Sequence, residues 1–105
     1  MAQKDIVNIV KQYITKLSSS GVKIYKAYLF GSYARNEATD LSDIDVLIVS
    51  DAYNGFNIEK KALAWAATDD IDLRIEPYTM GTDRFFSAGS IVLDEVLKEG
   101  IEITI

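Results

Sequence analysis

Leu29-Phe30-Gly31-Ser32-Tyr33-Ala34-Arg35 and, after a short polar stretch, Ser42-Asp43-Ile44-Asp45-Val46-Leu47-Ile48 decide the fold of this 105-residue chain. Each half sets polar groups at the end of a hydrophobic strand. Val22 to Phe30 is rich in β-branched and aromatic residues and reads as a strand, which Gly31-Ser32 stops. Tyr33 to Asn36 reads as one turn of helix and Glu37 to Ser42 as a polar loop. Ile44 to Val49 is the second strand, closed by Ser50-Asp51.

Outward from this pair, the pattern alternates between helix and strand. Ile6, Ile9, Val10, Tyr13, Ile14 and Leu17 form one amphipathic helical stripe, ended by Ser18-Ser19-Ser20-Gly21. Ile58, Ala62, Trp65 and Ala66 predict a second helix, following the loop Tyr53-Asn54-Gly55-Phe56. Ile71 to Glu76 alternates apolar and charged residues and is predicted as a third strand, stopped by Pro77. A last helix is expected from near Ser90, with Ile91, Val92, Val96 and Leu97 inward, and the tail Ile101 to Ile105 as an edge strand. The order α-β-(α)-β-α-β-α-β defines an α/β (α+β) chain, a mixed sheet flanked by helices, with residues 1–105 forming one domain.

Composition removes whole classes of chemistry. With no Cys and no His there is no disulfide, no thiol nucleophile, no Ser-His-Asp triad and no zinc site of the Cys/His kind. Any metal must be held by oxygen, which favours Mg²⁺, Mn²⁺ or Ca²⁺. Eleven basic against 16 acidic residues leave a net charge of −5, so strong non-specific binding to nucleic acid is not expected. No apolar run is long enough to span a bilayer and Met1 to Asp5 lacks the apolar core of a signal peptide, so a cytoplasmic location is expected.

Asp43 and Asp45 are two apart, so on a strand they leave from one face while Ile44, Val46 and Ile48 take the other. Adjacent carboxylates repel, and a divalent cation relieves the repulsion. Gly31-Ser32, directly after a strand, supplies close backbone approach and a hydroxyl beside free N–H groups, a cradle for phosphate. Together these suit phosphoryl or nucleotidyl transfer, in which metal ions bridge phosphates held in line. A third carboxylate is expected from Ile71-Asp72-Leu73-Arg74-Ile75-Glu76. Asp72 lies mid-pattern whereas Glu76 abuts Pro77, so Asp72 is expected to ligate metal and take the proton of an attacking hydroxyl. Arg35 is a candidate phosphate contact, and Arg74 is left open.

Gly31-Ser32-Tyr33-Ala34-Arg35 followed by Ser42-Asp43-Ile44-Asp45 resembles the G-S-x-A-R-G and S-D-x-D signature of the minimal nucleotidyltransferases of the polymerase-beta superfamily. Asn36 departs from it, standing where the family has Gly, although Asn tolerates the left-handed conformation better than most residues. The resemblance implies a polymerase-beta-like nucleotidyltransferase fold. It implies that Gly31 and Ser32 hold the nucleoside triphosphate, ATP as substrate, and that Asp43, Asp45 and Asp72 bind Mg²⁺, with room for two ions. It further implies transfer of AMP to a hydroxyl of a partner protein, with this chain as the antitoxin of a HEPN-type helical toxin. The alternative is a non-catalytic nucleotide- or partner-binding module that sequesters its partner. A homodimer through the tail strand is also compatible with the pattern.

Overall fold

The computed structural model describes residues 3–87 and 91–104, without the side chains of 91 and 92. Helix α1 spans Gln3–Ser19 and buries Ile6, Val10, Tyr13, Ile14 and Leu17 on one face, the stripe read from the sequence, with Ile9 partly buried beside them. Strand β1 is Lys26–Phe30, four residues shorter than the Val22 to Phe30 run suggested because its ladder with β2 begins only at Lys26, and strand β2 is Ile44–Ser50. Then come a 3₁₀ turn at Asp51–Tyr53, helix α2 at Ile58–Ile71, strand β3 at Ile75–Gly81, a short helix α3 at Thr82–Phe85, helix α4 at Ile91–Glu99 and strand β4 at Ile101–Glu102.

The sheet order is β3-β2-β1-β4, with β1 antiparallel to β2 and β4 and with β2 parallel to β3. This is a mixed sheet with helices on both faces, as expected. Ala27, Leu29, Ile44, Val46, Ile48 and Ile75 pack with α1 and α2 on one face. On the other, Tyr28, Phe30, Leu47, Val49 and Met80 pack with Leu93 and Val96 of α4. Being central, β2 buries both of its faces, and only its first residues carry polar groups outward.

Two further expectations are corrected. The third strand does not run from Ile71 to Glu76. Helix α2 continues through Ile71, Asp72 caps its C-terminus, and β3 begins at Ile75 and passes through Pro77. Proline is tolerated there because β3 is the sheet edge, where a missing N–H need not break a ladder. Helix α2 buries Ala64, Ala67 and Thr68, whereas Ile58, Ala62, Trp65 and Ala66, the residues that mark it in the sequence, are exposed. Small side chains allow α2 to approach α1, and the Tyr13 hydroxyl donates to the Ala64 carbonyl at 2.7 Å. In α4, Leu93 and Val96 face inward and Leu97 is exposed; Ser90 and the side chains of Ile91 and Val92 lie outside the described residues. The tail is the edge strand expected, although its ladder covers only Ile101 and Glu102.

Among the described residues no helix is long and apolar enough to cross a membrane. Helix α2 begins on Asn57, whose side-chain oxygen accepts from the Lys60 N–H at 3.1 Å. Asn57→Ala is expected to lower the unfolding free energy by about 1 kcal/mol, read from a shift of the urea midpoint at unchanged m-value.

Candidate active site

The site forms where the C-terminal end of β1 meets the start of β2, since Phe30 is the register partner of Asp45. The chain turns away from β1 at Gly31, which has φ +76°, a left-handed conformation that side chains resist. Space enforces the same choice, because a Cβ at Gly31 would overlap Oδ2 of Asp45. Glycine therefore lets the Asp45 carboxylate lie directly against the turn. The turn is helix-like, with the Arg35 N–H bonded to the Gly31 carbonyl at 3.1 Å and the Glu37 N–H to the Ser32 carbonyl at 2.9 Å. Asn36 adopts φ +60°, the left-handed role the sequence allowed it. Gln3 of α1 ties the turn down, its amide donating to the carbonyls of Tyr33 and Ala34 at 2.9 and 3.1 Å. Ser32, half-buried, makes no side-chain hydrogen bond among the described residues, so its hydroxyl remains free for a ligand.

On the other flank of Asp45 stands Glu76, its register partner across the parallel β2–β3 pair. Burial pushes the Asp45 carboxyl up to about 6, and the negative charges of Glu76, Asp43 and Glu95 push the same way against Arg35. Asp43 is exposed just before β2. The Tyr78 hydroxyl donates to Glu76 at 3.2 Å, and burial together with the charges of Asp45 and Glu76 raises it to about 12, so it remains a proton donor.

The structure does not bring Asp72 into this group. From the cap of α2 its Oδ1 accepts from the Arg74 N–H and Nε at 2.9 and 3.0 Å, and its Oδ2 from Arg74 Nη2 at 2.7 Å. The side-chain bonds from Arg74 hold the Asp72 carboxyl below the usual carboxylate range. Arg74 also reaches the Tyr33 hydroxyl at 3.3 Å, so this pair braces the turn that follows Gly31. Glu76 takes the position expected of Asp72 because the strand starts four residues later than its alternation suggested. The sequence masks this position: the apolar residues fall at Ile71, Leu73 and Ile75 and then at Tyr78 and Met80, so the alternation changes phase at Pro77. Arg35 lies at the site but is engaged by carboxylates, Glu37 at 3.4 Å, Glu95 at 3.2 Å and Glu99 at 3.5 Å. Nothing in the local sequence marked Glu95 as a neighbour of this site.

The donor set is all oxygen, as a Mg²⁺ site requires. Among the described residues no three acidic side chains form a ready-made metal cage. Mg²⁺ needs none: it keeps waters and is commonly held by one or two carboxylates with substrate phosphates completing the shell. A half-buried, like-charged Asp45 between Asp43 and Glu76 fits that use.

A left-handed glycine turn facing a strand carboxylate, in a four-stranded mixed sheet covered on both faces, defines the class as an α/β fold with a polar site at one end of its central strands. Residues 9–80 match the family model of the nucleotidyltransferase domain, and the chain belongs to that family. It is 49% identical over 43 residues to a Methanocaldococcus jannaschii protein named as a protein adenylyltransferase; the match spans 40% of this chain and 43% of that relative. A crystal structure named as a nucleotidyltransferase from Sulfolobus solfataricus shares the fold, with TM-score 0.66 at 20% identity over 96% of this chain and 81% of that one. A toxin–antitoxin structure with AMP-PNP aligns with TM-score 0.64 at 25% identity, over 88% of this chain and 70% of that chain. The toxin–antitoxin MntA-HpeT, as a tyrosine-to-alanine mutant, aligns with TM-score 0.62 at 27% identity, over 90% and 71%.

Proposed function

We propose that this chain is a Mg²⁺-dependent nucleotidyltransferase that moves AMP from ATP to a hydroxyl of a partner protein, acting as the antitoxin of a HEPN-type helical toxin. The observation that carries the reading is the Asp45 carboxylate lodged between the Gly31 turn and Glu76. The similarity to a relative named as a protein adenylyltransferase and to toxin–antitoxin structures supports the choice of acceptor and partner.

In this reading the backbone of Gly31-Ser32 and the Ser32 hydroxyl hold the triphosphate tail. Asp43 and Asp45 would hold Mg²⁺, with Glu76 in place of Asp72 as the third carboxylate; when bound, the metal neutralises phosphate charge and aligns the α-phosphate. The acceptor oxygen bonds to the α-phosphorus, the bond to the bridging oxygen breaks and pyrophosphate leaves. Glu76 receives the acceptor's proton. Arg35 reaches phosphate by exchanging a carboxylate partner for a phosphate oxygen.

The chain and its partner, incubated with labelled ATP and Mg²⁺, are expected to yield labelled partner, and Asp43→Asn to abolish the label. Absence of label with the wild-type chain removes the enzymatic reading. Glu76→Gln is expected to reduce transfer at least about a hundredfold, the scale of losing a general base, whereas Asp72→Asn is expected to keep it within a few fold and to cost stability instead. The reverse ranking would return the third position to Asp72. One observation favours the sequestering alternative: Ile58 and Trp65 expose an apolar face on α2 fit for a partner helix. If Asp43→Asn still neutralises the partner, sequestration is the function.

A further inference from the structure

The Asp45–Glu76 face of the sheet continues into a cavity. Along β2 and β3 the side chains alternate, so Leu47 and Tyr78 follow Asp45 and Glu76 on one face, and Val49 and Met80 follow them. A cavity of about 260 Å³ opens at the β3 edge, lined by Leu47, Tyr78 and Met80 of this face together with Thr79 of the opposite face, Lys61 of α2 and Arg84 of α3. Tyr78 belongs to both places: it lines the cavity, and its hydroxyl donates to Glu76.

Strand order separates the two flanks of the site. The Gly31-Ser32 turn lies on the β1 side of Asp45, whereas Glu76, Tyr78 and the cavity lie on the β3 side. In-line displacement puts the leaving pyrophosphate and the attacking oxygen on opposite sides of the phosphorus. With the triphosphate tail at Gly31-Ser32, the acceptor approaches over β3.

Charge states what kind of acceptor fits. In a chain of net charge −5, the cavity is flanked by two cations, Lys61 and Arg84, neither in an ion pair among the described residues. The Lys61 ammonium lies 5.5 Å from the Phe56 ring centroid. Asp83, next to Arg84 in the chain, accepts from the Arg84 backbone N–H at 2.7 Å, and Asp51 accepts from the Thr82 hydroxyl.

We propose that the cavity beside Tyr78 is the acceptor subsite and that Lys61 and Arg84 select a hydroxyl-bearing segment flanked by acidic residues. The assignment rests on the transferase reading above, but binding tests it without turnover. The probe is a fluorescein-labelled peptide of glutamate, serine and tyrosine, with a second peptide carrying lysine for glutamate, followed by fluorescence anisotropy. The wild-type chain is expected to bind the acidic peptide in preference to the basic one, and more weakly as salt is raised. Lys61→Glu with Arg84→Glu is expected to weaken acidic-peptide binding about tenfold and to leave the affinity for ATP with Mg²⁺ unchanged. Lys61→Gln with Arg84→Gln, of unchanged circular dichroism, is expected to fall between. Equal binding of both peptides, or an acidic-peptide affinity indifferent to these substitutions, overturns the proposal. So does loss of ATP affinity in place of peptide affinity, which would give the cavity to the donor nucleotide. Failure of the transferase reading shows separately, as peptide binding without label transfer.

Discussion

Asp45→Asn is expected to melt higher than the wild-type chain at pH 8 in chelator, while losing label transfer altogether. The folded chain holds the Asp45 proton up to about pH 6, against an ordinary carboxylate value of 3.8. A carboxyl raised on folding favours the native state when protonated, so its contribution is fully present below pH 4. It is lost as pH rises from about 4 to about 6, and above that the whole cost of a charged Asp45 stands. Two units correspond to about 3 kcal/mol; with Asp45 half-exposed, screening by solvent reduces this to about 1–2 kcal/mol. For a chain of this size that is a rise in melting temperature of roughly 5–10 °C. Mg²⁺ with ATP is expected to reverse the ranking by stabilising the wild type through mass action. A mutant that melts lower than wild type in chelator at pH 8 would show that Asp45 is not repelled by its neighbours.

The second large effect belongs to Gly31→Ala. Its backbone sits at φ +76°, where an alanine pays roughly 1–2 kcal/mol of left-handed strain. The added Cβ also overlaps Asp45 Oδ2, so either the carboxylate or the turn must move. Displacing a catalytic group by about 1 Å costs on the order of a hundredfold in rate, and transfer is expected to fall by at least that much. Gly55→Ala isolates the backbone term: φ is +68° and a Cβ there meets nothing. It is expected to lower stability by about 1 kcal/mol. If Gly31→Ala costs no more stability than Gly55→Ala and keeps full transfer, the close approach of Asp45 to the turn plays no part in the reaction.

What the sequence determined by itself was whatever depends on neighbours a few residues apart. The stripe from Ile6 to Leu17, the strand ending at Gly31 and the polar-then-apolar run from Ser42 to Ile48 are local patterns. Each forms the kind of element read, although β1 starts only at Lys26, because helix and strand periods are set within a few residues. The Gly31-Ser32 turn and the Asp43–Asp45 pair were legible for the same reason, as was the left-handed Asn36. Tertiary structure alone decided which acidic group joins them. Along the chain the alternation favours Asp72 over Glu76, and only the register Asp45↔Glu76 and the bond from Arg74 to Asp72 reverse that order. Pro77 reads as a stop unless its strand lies at the sheet edge, and edge position is a property of the assembled sheet. The same holds for α2, where apolar residues occupy every side and only close packing on α1 selects Ala64 and Ala67 over Ile58 and Trp65. Partners far apart in sequence meet only when the sheet closes, and no local period carries that choice.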